Sequence, residues 1–331
     1  MPVESGMTLG KGRMNIKQYL NRRNVLFVLF CALAFIMAYL SIKTLYYSSS
    51  NREYYSHIVL IPLVSMYLLY QDWRDIFKDG QGEHAPRYDW KMGVPLLLGG
   101  VLLFLGGQFS VVQLNQNDVT SVIALSGVVF IHGAFILCYG VQAFKAALFP
   151  LLFLIFMIPI PSAVMDSIIY ALQVGSTEFT NVLLMASGVP FLREGFVFHL
   201  PSISVEVAKQ CSGIRSCLAL LITATVAGHL FLKTGWKKVV LALAAIPIAM
   251  FKNGIRIVSL TLLGAYVDPR ILQSDLHREG GIPFFIVALL LLAPVLYFLR
   301  KSEGPGVRGK KQGEKSGFPP AWNDKVRSRP E

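Results

Sequence analysis

Cys211-Ser212-Gly213-Ile214-Arg215 sets a thiol and a guanidinium four residues apart, at the point where a long apolar run begins. Read as helix, that spacing puts both groups on one face, one turn apart. Arg256 follows within the next apolar run, and His277 lies just before the one after it. Ionisable side chains at membrane depth are energetically unfavourable and mark function. The chemistry open to these three follows from their types. A thiol attacks as thiolate, which a low-dielectric surround disfavours and a nearby guanidinium favours. Arginine, always charged, can also stabilise the oxyanion formed when the thiolate attacks a carbonyl. Histidine can accept the thiol proton and return it to a leaving amine. Cys, Arg and His are enough for acyl transfer through a thioester. No second cysteine or carboxylate is placed to complete a metal site, and the chemistry calls for no cofactor.

The elements that must position these groups are membrane helices. The chain of 331 residues is 54% hydrophobic and 15% charged, where soluble domains average about a quarter charged. An all-α integral membrane protein of the inner, cytoplasmic membrane is expected. The apolar run behind the basic N-terminus is long enough to span and lacks a small-residue cleavage site, so no cleavable signal peptide is expected. The net charge of +12 sits mainly in the two tails and a few short loops. That is the cytoplasmic bias of membrane proteins and argues against a nucleic-acid partner. Cys31 and Cys138 lie inside apolar runs as small hydrophobes. Cys211 and Cys217, six apart on one helix, point to different faces and do not pair, so no disulfide framework is expected.

Eight apolar runs are long enough to cross: about 25–45, 55–71, 92–112, 119–139, 143–161, 211–232, 239–264 and 282–299. With eight crossings, every Lys- and Arg-rich segment falls on the side of both termini, and the opposite loops are poor in these residues. Residues 1–24 then form a basic cytoplasmic tail, 25–300 the multi-pass membrane domain and 301–331 a disordered basic tail. Residues 162–187 mix apolar side chains with Asp166, Gln173, Thr177, Glu178 and Asn181. They are expected to lie as an amphipathic segment on the outer interface, since a ninth crossing would put the basic tail outside. Phe196–Leu200 and Ile203–Val207 alternate as a short β-hairpin that feeds into Cys211. This topology gathers Cys211, Arg256, His277 and His57, which opens the second run, on one outer face.

Each of these groups also has a plainer use. Arg215 can snorkel or pair with the phosphate of a membrane lipid. Lys252 and Arg256, four apart on one helical face, can hold an anionic lipid or line an ion pathway. Asn253 can serve helix packing, and His277 can simply be solvated. His132, His199 and His229 are assigned structural roles, and His84 falls in a cytoplasmic loop. A non-enzymatic component of polysaccharide or lipid-linked sugar export therefore stands as the alternative. The two readings part at Cys211, which transport does not need and acyl transfer does.

The same residues resemble the exosortase/archaeosortase family of multi-pass membrane transpeptidases. The matching stretches are Tyr55-Ser56-His57, Arg193-Glu194-Gly195, Leu200-Pro201-Ser202, Val205-Glu206-Val207 with Cys211-Ser-Gly-Ile-Arg-Ser216, Asn253-Gly-Ile-Arg256-Ile257, and His277-Arg-Glu-Gly-Gly281 with Phe284-Phe285. They cover roughly residues 50–300. The resemblance implies Cys211, Arg256 and His277 as catalytic residues, with Arg215, Asn253, His57 and Glu206 in support. It also implies a thiol-protease or transpeptidase that cleaves exported proteins ending in a signature motif, a hydrophobic helix and a basic cluster. The new C-terminus would pass to an acceptor nucleophile whose identity the sequence does not give. The C-terminal periplasmic domain fused to some members has no counterpart in residues 301–331, and the signature motif is not readable.

This topology makes a direct prediction. With the other three cysteines replaced by serine, Cys211 will label with a membrane-impermeant thiol reagent from the outer side. A reporter fused to the C-terminus will be active only in the cytoplasm, and an extracytoplasmic signal would overturn the orientation.

Overall fold

Lipid offers a peptide group no hydrogen-bond partner, so apolar runs of this length fold as helices. The computed structural model describes residues 21–48, 57–77, 88–109, 114–268, 270 and 281–303. It forms two compact units, one up to Leu172 and one from Gln173 onward. The first unit holds α1 (Arg22–Ser48), α2 (Leu60–Gln71), the single turn α3 (Trp73–Ile76), α4 (Trp90–Gln108), α5 (Gln116–Ala146) and α6 (Leu148–Leu152), which runs on as a 3-10 turn over Phe153–Met157. α4 and α5 pack closely because α4 lays glycines along the contact. A Cβ on Gly93 or Gly100 would stand 2.7 or 2.9 Å from Leu137 or Phe130, the small-residue packing by which membrane helices associate. Asp118 accepts from the backbone N–H of Ser162 at 2.7 Å, tying the start of α5 to the start of the next helix, α7 (Ser162–Ala186).

The second unit carries the candidate site. It contains the rest of α7, three strands, α8 (Ile214–Phe231), α9 (Gly235–Tyr266) and α10 (Gly281–Lys301). α7 buries Gln173, Ser176, Thr177, Thr180 and Leu184 on one face and exposes Val182 and Met185 on the other. Its polar side is turned inward, the reverse of a soluble amphipathic helix. β1 (Leu192–Glu194), β2 (Val197–His199) and β3 (Ser204–Glu206) form an antiparallel sheet in that order. The expected hairpin is β2–β3, in the register Val197↔Glu206 and His199↔Ser204. β1 is an additional strand, joined to β2 by a two-residue turn in which Gly195 takes φ +62°, the residue such a turn favours first. Phe198, Leu200 and Val207 pack with Leu184 of α7 and Ile257 of α9, which fixes the sheet to both helices.

Five helices among the described residues are long and apolar enough to cross a membrane, or six if α6 with its 3-10 turn and α7 count as one bent span. The expected count of eight is not confirmed among the described residues. The run at 55–71 yields a helix of only 12 residues, about 18 Å long and too short to cross alone. The run at 143–161 breaks into a helix end, a five-residue helix and a 3-10 turn. Gly140, at φ 84°, kinks the chain before it. Residues 162–187 do fold as one helix rather than two, and it meets the preceding segment at 89°.

At the other end of α9, the Glu303 carboxylate accepts from the backbone N–H groups of Lys233 and Thr234. These are free donors ahead of the first turn. The Thr234 N–H is the main reason this carboxyl is held below its ordinary range, with Lys233 behind it and burial opposing. A depressed folded pKa stabilises above the ordinary value and is lost as pH falls through the folded one. Glu303→Gln will lower the melting temperature of the detergent-purified protein at pH 7. The gap to wild type will close as pH falls below about 4.

Candidate active site

α9 places three polar side chains on one turn: Lys252, Asn253 and Arg256. Lys252 and Asn253 are 2% and 0% exposed. Each has to find its partners inside the protein. α8 runs beside α9, and the partners come from its start and from α7. Lys252 Nζ donates to Ser216 Oγ at 2.6 Å. The Asn253 amide donates to the backbone carbonyl of Cys211 at 2.7 Å and to Ser176 Oγ of α7 at 3.1 Å. Arg256 interacts electrostatically with both Cys211 and Arg215. The Asn253 amide is thus bonded to the backbone of the thiol-bearing residue, and the Arg256 guanidinium lies within electrostatic range of the thiol, although 42 to 45 residues separate them in sequence.

Cys211 does not belong to the helix that follows it. It ends a 3-10 turn over Lys209–Cys211, and Gly213 then takes a left-handed conformation at φ 80° before α8 begins at Ile214. Only glycine adopts this conformation without strain, and a Cβ there would also stand 3.0 Å from Asn253 Cγ. Thiol and guanidinium are thus not one turn apart on a common helix, as their spacing suggests. Arg215 is in the first turn of α8 and exposed, whereas Cys211 is half-buried on the turn before it. The approach to that turn is also fixed. Val207 donates to the carbonyl of Phe196 at 2.9 Å and accepts from Gln173 Nε2 of α7 at 2.6 Å. Ser212 Oγ and Asn253 Oδ1 are buried without a hydrogen-bond partner among the described residues, so hydrogen-bonding capacity remains next to the thiol.

The other expected site residues fare differently. His277 lies outside the described residues. His57 belongs to the first unit, where its carbonyl accepts from the N–H of Leu60 at 3.0 Å. Glu206 is on β3 and exposed. His199, assigned a structural role, shares a 2.8 Å hydrogen bond with Ser204 Oγ and approaches Glu194 at 3.7 Å. Sequence reasoning missed Gln173 and Ser176, because polar residues on an apolar helix read as a wet face. Their spacing of three, continued by Thr177 and Thr180, was the signal that one face turns inward. Ser216 was visible only as the end of a motif.

Residues 49–294 match the family described as transmembrane exosortase. No curated protein and no solved structure matches the chain.

Asn253→Ala removes both donors and leaves the Cys211 carbonyl and Ser176 unpaired. The loss will be about 1–3 kcal/mol of stability, read as a lower melting temperature in detergent. Asn253→Asp keeps the volume but sets an acceptor against the Cys211 carbonyl, and its loss will be larger. Equal melting of Asn253→Ala and wild type would show that the amide does not hold the turn.

Proposed function

The chain belongs to the transmembrane exosortase family, and on that premise we propose that it is a cysteine-dependent transpeptidase or protease acting on the C-terminal tails of exported proteins. The observation that supports this reading is the hydrogen bond from Asn253 to the Cys211 carbonyl, with Arg256 one turn further along the same helix and in electrostatic range of the thiol. Cys211 is the nucleophile. Its Sγ forms a bond to the carbonyl carbon of the scissile peptide, and charge moves to the carbonyl oxygen. Arg256 supports the thiolate and then that oxyanion, because its guanidinium comes from α9 and not from the segment that carries the thiol. The C–N bond breaks as the leaving amine takes a proton, and the thioester remains on Cys211. His277, assigned from sequence alone, carries that proton from thiol to amine. An amine acceptor or water then attacks the thioester and regenerates the thiol.

The substrates in this reading are exported proteins with a signature motif, a hydrophobic helix and a basic cluster at the C-terminus. The helix of the tail lies among the apolar helices of the enzyme, and the scissile bond sits at the outer face. Membrane lipids surround both.

Cys211→Ala will abolish processing of a tailed substrate while the protein stays in the membrane at its normal level. Arg256→Lys keeps the charge but loses the planar fork, and the rate will fall by roughly 10²–10³. Arg215→Lys will be milder, since its side chain is exposed on the helix that follows the thiol. Processing is followed over time at matched membrane levels. Retained cleavage by Cys211→Ala would end the cysteine mechanism.

A further inference from the structure

β3 is an edge strand of the sheet, and it ends five residues before Cys211. In an antiparallel pair, residues that exchange bonds across the ladder alternate with residues whose N–H and C=O point the other way. The hairpin shows which are which. Val207 donates to the carbonyl of Phe196, and Leu200 donates to that of Ile203. In the register Phe198↔Val205, Val205 is therefore the residue of β3 that exchanges bonds with β2. Ser204 and Glu206 flank it. Their main-chain N–H and C=O groups point away from β2, and nothing among the described residues bonds to them.

Both residues are exposed, so four main-chain groups stand open on one edge. Such an edge is a template for a further strand, and native sheets often blunt it with a proline or a bulge. β3 is short but carries neither. The opposite edge differs. On β1 only Arg193 points its main chain outward, because Leu192 and Glu194 pair with His199 and Val197. The Arg193 side chain is committed as well, to Glu178 of α7 at 2.7 Å and to the Gly195 carbonyl at 3.0 Å.

The chemistry beside β3 indicates what pairs there. A thiol that attacks a peptide bond needs that bond in an extended chain held still against the enzyme. In the proposed function, the substrate tail passes from the outer surface into the membrane and becomes helical. The enzyme's own chain takes the same course, from β3 through the Cys211 turn into α8. Laid side by side the two run in one direction, so the added strand is parallel to β3. An antiparallel tail would bring its hydrophobic helix to β3, with no extended main chain left to pair.

We propose that the outer edge of β3 is the subsite for the substrate segment ahead of the scissile bond, which binds as a parallel fourth strand on the N–H and C=O groups of Ser204 and Glu206. This rests on the proposed function. Main-chain bonds of this kind give affinity and set the register without reading side chains. They bring successive residues of the tail past the thiol in one alignment.

The test is amide hydrogen exchange of the full-length Cys211→Ala protein in detergent, read at single residues by mass spectrometry. The probe is a synthetic peptide covering the signature motif and hydrophobic helix of a tailed protein that the wild type cleaves. Without peptide, Ser204 and Glu206 will exchange fast, and Val205 and Val207 slowly. With peptide bound, exchange at Ser204 and Glu206 will slow by roughly tenfold or more, and alternate peptide amides upstream of the scissile bond will slow with them. Unchanged exchange at Ser204 and Glu206 in the bound complex would overturn the proposal. Proline gives a second measure, because at position 204 it removes an outward N–H and leaves the β2 ladder whole. Ser204→Pro will melt like Ser204→Ala, yet its KM for the cleaved protein will be roughly tenfold higher at a similar kcat. Equal KM values would overturn the proposal as well. Both of these failures can occur while the wild type cleaves the tail and Cys211→Ala does not, which leaves the proposed function standing. A chain that binds and cleaves no tailed protein would defeat both.

Discussion

A polar turn inside an apolar helix has to be satisfied by its neighbours, and α9 carries such a turn at Lys252, Asn253 and Arg256. In lipid the hydrophobic effect gives helices little reason to associate, so packing and polar contacts do more of that work. Here both meet at one level of α9. Asn253 reaches α7 and the Cys211 turn, while Lys252 reaches α8. Gly254 lets α7 come close enough, since a Cβ there would stand 2.9 Å from Phe179 Cβ. The contacts that assemble this unit and those that place the thiol are the same contacts. Stability and geometry at the site are coupled for that reason.

The break at Gly213 has a consequence for the thiol. Had the helix continued through Cys211, the backbone carbonyl would be committed to the helical ladder. Because α8 starts at Ile214, that carbonyl is free to take the Asn253 amide, and the free N–H groups of the first turn of α8 lie just past the thiol. A helix N-terminus favours a neighbouring negative charge. Arg256, Arg215 and the α8 terminus therefore act in the same electrostatic sense on this turn.

Much of this was legible in the sequence. The apolar runs became α4, α5, α8, α9 and α10 with ends shifted by a few residues, because hydropathy reports burial in lipid and not hydrogen bonding. It misled where length was marginal: the run at 55–71 yields a helix only from Leu60 onward among the described residues, and the run at 143–161, which follows the kink at Gly140, is broken by the 3-10 turn. The strand alternation from Phe196 to Val207 gave β2 and β3 but not β1, which lies outside that alternating stretch. At the site, Cys211 and Arg256 stood out because charge and thiol are rare in spans. Ser176 and Gln173 did not, since a hydroxyl or an amide gains meaning only when a partner on another helix is known.

That partner also explains why asparagine is the residue at position 253. Its side-chain nitrogen carries two hydrogens, and the structure uses them for two acceptors on different elements, Ser176 on α7 and the Cys211 carbonyl on the turn. Glutamine is one methylene longer and would overfill a fully buried position. Aspartate offers no hydrogen when ionised. A hydroxyl has one hydrogen and can donate to one of the two acceptors at a time. With both bonds made, the Cys211 carbonyl cannot shift relative to α7 or α9 without breaking a buried hydrogen bond. Val207, four residues before Cys211 and held by Gln173 of α7, bounds the same segment from the other side. The segment that carries the thiol is thus restrained by α7 at Val207 and by α9 at Cys211, and any displacement of α7 against α9 is transmitted to Cys211.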